Sequence, residues 1–219
     1  MVWQNQANLL FFIFFKELKM AELIEKGGFM MYPIILSSII ALAVFIERIL
    51  VFSKVRMISA GKLGEIMDVL KNKGAGVAKD LLESEKGALK DFFSAVLEGD
   101  SEEASEKAAS VAGDDILFDL NRRLDFLSML GSVTPLMGLL GTVIGMIKVF
   151  SRVAAAGEMS DISILAGGIW EALLTTAAGL AVAIPILFAH NYLERKLDKI
   201  SHLMMQNAQK MIAAMNQGK

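Results

Sequence analysis

Four oxygen-bearing side chains within long, mostly apolar runs could do chemistry: Glu171, Thr175 and Thr176 in one run, and Thr142 in another. Glu171 is the one formal charge in residues 162–193, a run of 32 residues reading ISILAGGIWEALLTTAAGLAVAIPILFAHNYL. At about 1.5 Å per residue, a helix of that length crosses a hydrocarbon core of ~30 Å and continues beyond it. A carboxylate inside such a segment costs at least ~2.5 kcal/mol on insertion-based scales, so it faces protein or a water-filled path. An acid followed by hydroxyls inside a membrane has the parts of an ion or proton path. The structural alternative is that Glu171 caps or glues helices near one membrane face, with the threonines bonded back to their own helix. Intramembrane ionisable residues are functional by default, which favours the first reading.

Other chemistry has little to work with. The chain has 219 residues, is 54% hydrophobic and only 21% charged, and has a mean hydropathy of +0.51. That is too apolar for an ordinary soluble domain and asks for several membrane spans. Net charge is −2, so no basic footprint suggests a nucleic-acid partner. There is no cysteine, which removes disulfides, thiolate nucleophiles and Cys-based metal sites. The two histidines, His190 and His202, belong to no HExxH pattern, and neither GxSxG nor a GxxxxGK[ST] phosphate loop occurs. No enzyme activity, metal or cofactor is implied.

The elements that must position these residues follow from charge and apolar periodicity. Residues 1–28 form an N-terminal amphipathic segment. Its apolar run at 9–15 is too short to span, so it reads as an interfacial helix with Trp3 at the lipid boundary. Met20 is an equally good native start. The first span covers residues 29–52. It has Pro33 in its first turns, where a missing N–H is cheapest, and Glu47 and Arg48 as an interfacial anchor near its end. Residues 53–125 carry 11 Lys/Arg and 15 Asp/Glu and read as several short helices. Gly74, Gly76, Gly87, Gly99 and Gly113 punctuate them, and Ser101-Glu102-Glu103 marks a helix start.

The second span, residues 126–147, has 22 residues and no charge. Gly138, Gly141 and Gly145 make a side-chain-free ridge for close helix packing, with Thr134 and Thr142 on or beside it. Pro135 removes one helical hydrogen bond. A hydrophilic link at 148–161 leads to the third span, residues 162–193. At ~100° per residue, Thr175 lies about 40° from Glu171, whereas Thr176 lies about 140° away on a small-residue stripe with Ala172, Gly179 and Ala183. Both faces need cover, which indicates oligomerisation. Residues 194–219 keep a helical repeat, so the third span continues as one long amphipathic helix.

Residues 130–150 (LGSVTPLMGLLGTVIGMIKVF) and 167–193 (GGIWEALLTTAAGLAVAIPILFAHNYL) resemble the signature spans of the MotA/TolQ/ExbB proton channel family. The ERILVF ending of the first span is similar too, and three spans match the ExbB/TolQ branch better than the four-span MotA type. The resemblance implies an all-α membrane protein assembled as a homopentamer around a dimer of a single-span ExbD/TolR-type partner. That partner carries the membrane aspartate. By motif position, Glu171, Thr142 and Thr176 match the family's third-span acid and its two threonines. Thr175 is an extra hydroxyl. The complex would use the proton-motive force to drive a TonB-like or TolA-like protein from the bacterial inner membrane. Sodium coupling is an alternative, because extra hydroxyls such as Thr175 and Ser128 suit a hard cation. A scaffold without ion flux is a third.

Orientation follows from basic residues. Arg48, Lys54, Arg56, Arg122, Arg123, Arg195, Lys196 and Lys199 outweigh Lys148 and Arg152. Residues 53–125 and 194–219 are therefore expected in the cytoplasm, with the N-terminus and residues 148–161 in the periplasm.

Overall fold

A computed structural model describes residues 27–55, 59–83, 89–156 and 162–217. Among these residues the secondary structure is entirely helical, in seven helices. They are α1 (Met31–Lys54), α2 (Ala60–Lys73), α3 (Ala75–Glu83), α4 (Leu89–Leu97), α5 (Glu102–Asn121), α6 (Leu124–Ala156) and α7 (Ile162–Gln217). Three of them, α1, α6 and α7, contain stretches long and apolar enough to cross a membrane. The expected interfacial helix at 9–15, Gly87 and Gly157 lie outside the described residues.

Local chemistry explains the helix ends. Pro33 is the third residue of α1, inside the first turn, where its lack of an N–H leaves no intrahelical bond unmade. Ser59 caps α2 by accepting from the Lys62 N–H, and Ser101 caps α5 by accepting from the Ala104 N–H at 3.1 Å. Glu102 and Glu103 add negative charge to the positive end of α5. Gly74 ends α2 with φ +84°, a conformation glycine adopts without steric cost.

The chain divides into two compact units. The first is Met1–Phe45 with Phe126–His190, which holds most of the three apolar helices. Its outer surface is apolar: Leu36, Ile39, Leu136, Ile147, Trp170, Leu173 and Phe188 are all exposed. On a membrane-spanning bundle such a surface is in place against lipid or other spans. Helix α6 runs on to Ala156, past Lys148 where the sequence suggests a link begins. The reason is local: residues 148–156 contain no Gly or Pro and end in three alanines, the best helix former.

The second unit is Ile46–Asp125 with Asn191–Lys219. Phe92 and Phe93 of α4, fully buried and packed edge-to-face with centroids 4.9 Å apart, anchor its core. Gly113 does not break a helix here, and Gly76 lies within α3. Gly113 is buried in α5, where a Cβ would make ordinary contact with the Phe92 ring at 3.4 Å and the Met205 methyl at 3.5 Å. The polar residues 194–217 continue α7 without interruption, with Leu193, Ile200, Met204 and Met211 buried at helical spacing.

Arg48 is buried at the α1 end of this unit. Its Nη1 donates to the Asp119 carbonyl at 3.1 Å and the Leu120 carbonyl at 3.4 Å, in the last turn of α5. Its Nη2 donates to Glu47 at 2.8 Å, and Glu47 also pairs with Arg123 at 2.5 Å. The guanidinium thus fills the carbonyls that a helix end leaves without partners.

Candidate ion pathway

The first unit brings Glu171, Thr175 and Thr176 to places where α7 meets α6 or the turn into α1, whereas Thr142 lies on an open groove lined by α6 residues alone. Glycine sets how closely α6 and α7 approach. A Cβ on Gly138 would lie 3.1 Å from the Thr175 carbonyl oxygen and 3.1 Å from the Thr176 Cα. A Cβ on Gly179 would lie 3.0 Å from the Gly138 Cα and 3.0 Å from the Thr134 carbonyl oxygen. Gly145 faces Ala172 in the same way, at 3.0 Å between β-carbons. The glycine ridge of α6 therefore packs against α7 of the same chain, backbone on backbone at Gly138 and against the Thr175 and Ala172 side chains at Gly141 and Gly145.

The three threonines use their hydroxyls differently. Thr176 donates to the Gly138 carbonyl at 3.0 Å, across the glycine contact. Thr142 turns back on its own helix and donates to the Leu139 carbonyl at 2.6 Å. Thr175 is 1% exposed, and its hydroxyl lies 2.8 Å from the Gly27 carbonyl and 2.9 Å from the Glu171 carbonyl. Its methyl fills the space above Gly141, where a Cβ would approach Cγ2 to 2.3 Å. Thr175 is thus the one candidate side chain that touches α6, its own α7 and the turn that leads into α1.

Glu171 is half-buried, one helical turn before Thr175. Its carboxylate lies against Gly28, where an added Cβ would come within 2.2 Å of Oε1. The three hydroxyls donate to main-chain carbonyls and none to this carboxylate. Gly27 and Gly28 escaped the sequence reading. A Gly-Gly pair just ahead of a helix with proline in its first turn is the signal that could have found them.

The site lies within the spans of a multi-pass helical membrane protein, with one half-buried acid and two hydroxyls, Thr175 and Thr176, at the packing seams. Residues 84–206 match the MotA/TolQ/ExbB proton channel family, and the chain belongs to that family, in its ExbB/TolQ-like branch. It is 29% identical over 195 residues to "Biopolymer transport protein exbB1" of Vibrio cholerae, covering 84% of each chain. It is 43% identical over 88 residues to "Biopolymer transport protein ExbB" of Helicobacter pylori, covering 40% of this chain and 60% of that relative. To "Tol-Pal system protein TolQ" of Haemophilus influenzae it is 36% identical over 94 residues, covering 43% of this chain and 41% of the relative.

Proposed function

We propose that this chain is an inner-membrane motor subunit that conducts protons and uses the proton-motive force to energise a TonB-like or TolA-like protein. Five copies surround a dimer of a single-span ExbD/TolR-type partner. Residues 53–125 and 194–219 face the cytoplasm. Glu171, Thr142 and Thr176 belong to the path, and the partner's membrane aspartate completes it. The observation that carries this reading is the half-buried carboxylate of Glu171 within a span of a chain whose family is described as proton channels. That description favours protons over sodium. Thr175, the extra hydroxyl on which sodium coupling leaned, has its proton committed to the carbonyls of Gly27 and Glu171.

Complementation of the deleted gene tests this reading. Glu171→Gln keeps the size and hydrogen-bonding ability of the side chain and removes its charge. The expected result is an intact oligomer that still holds its partner but delivers no energised output. Full output from this variant overturns the role of the charge. Loss of assembly returns Glu171 to helix gluing.

A further inference from the structure

The entry to the first span and the acid of the third meet at one place. Gly28 has φ +68°, a left-handed conformation that side-chain-bearing residues rarely adopt. The turn it forms delivers the chain into α1: the Met31 N–H donates to the Gly28 carbonyl at 3.1 Å and the Tyr32 N–H to the Phe29 carbonyl at 3.3 Å. The missing side chain leaves a notch, and Oε1 of Glu171 occupies it, 2.2 Å from where a Cβ would stand. One residue earlier, the Gly27 carbonyl accepts the Thr175 hydroxyl at 2.8 Å. Glu171 and Thr175 are one turn apart on α7, so a single helical face grips both glycines. The first turn of α1 has no acid of its own. The Glu171 carboxyl group stands beside the turn that leads into that helix.

We propose that the Gly27-Gly28 turn is the cradle that positions the Glu171 carboxylate, with the Thr175 hydroxyl as the tie that holds the cradle in register. Gly28 and Thr175 are positioning residues, since they act on the path through Glu171. The significance of the cradle for ion movement rests on the function proposed above; its existence does not. Two requirements converge on Gly28, the left-handed backbone and the space for Oε1, and asparagine separates them. It tolerates positive φ but places atoms in the notch. At Thr175, valine removes the tie at nearly constant volume, whereas serine keeps the hydroxyl.

The test is the rate at which a hydrophobic carbodiimide modifies Glu171 in membranes containing the full chain, read at that residue by mass spectrometry. Gly28→Asn and Thr175→Val should each raise the rate roughly fivefold, the population factor of about one net hydrogen bond. Thr175→Ser should stay near wild type. Unchanged rates in both Gly28→Asn and Thr175→Val overturn the cradle, as does a Thr175→Ser variant that reacts as fast as Thr175→Val. Should Gly28→Asn fail to accumulate in the membrane, the valine and serine pair decides. The readout needs no energised output. Full output from Glu171→Gln would remove the ion-path role and leave the labelling result standing.

Discussion

Thr176 and Gly138 are joined across two helices: the Thr176 hydroxyl donates to the Gly138 carbonyl at 3.0 Å, beside the close approach of Gly138 and Gly179. A hydroxyl that stitches helices together and a hydroxyl that passes ions need the same atom, so substitution must separate the two roles. Thr176→Val removes the bond and should lower resistance to denaturing detergent by about 0.6 kcal/mol, the typical worth of such a bond within a membrane. Thr176→Ser should restore that loss. Energised output that tracks the stability loss across both variants points to stitching. Output that vanishes in the valine variant, at so small a stability cost, points to the path.

The glycines of α6 should respond to alanine in the opposite sense to those of α2. At Gly141 an added Cβ would lie 2.3 Å from Cγ2 and 2.9 Å from Cβ of the buried Thr175. Gly141→Ala should therefore destabilise the protein by roughly 1–3 kcal/mol through overpacking. Gly64, inside α2, has nothing within 4 Å of such an atom. Gly64→Ala should stabilise by about 0.5–1 kcal/mol, because glycine costs a helix interior that much. Thermal unfolding of the purified protein in mild detergent measures both. Equal signs would remove the packing argument.

Arg48 should prove irreplaceable by lysine. Its guanidinium reaches the Asp119 and Leu120 carbonyls with one nitrogen and Glu47 with the other, and the side chain is buried. An ammonium group cannot present that fork. Arg48→Lys and Arg48→Met should both expose the last turn of α5 at a cost of roughly 1–3 kcal/mol. The check is amide hydrogen exchange at residues 117–121, expected to accelerate in both variants. Protection that survives in Arg48→Lys would show that charge alone suffices.

The proposed orientation has a direct check in cysteine-free background chemistry, since the chain contains no cysteine. Ala155 and Gly76 are both exposed. A membrane-impermeant thiol reagent applied to intact spheroplasts should label Ala155→Cys and spare Gly76→Cys. The reverse pattern overturns the orientation.

The sequence by itself determined the all-helical, three-span character of the protein. Uninterrupted apolar runs of 20 residues or more have few other solutions, because backbone polar groups in lipid must be satisfied within the segment. It also determined the start of α5, since Ser101 followed by two acids satisfies that helix end locally. Two paired motifs sufficed to mark the family. Tertiary structure alone decided what each polar atom does. That Thr175 ties down Gly27, that Gly28 yields its side-chain space to Glu171, and that Arg48 closes the end of α5 are pairings over 71 to 148 positions of sequence. Periodicity reports which face of a helix a residue occupies and is silent on what stands opposite. The same limit explains Gly113: a glycine reads as a break until α5 is seen to bury it beside Phe92 and Met205. It explains the ridge of Gly138, Gly141 and Gly145 as well. The spacing called for a close neighbour, and only the folded chain showed that its own α7 is one.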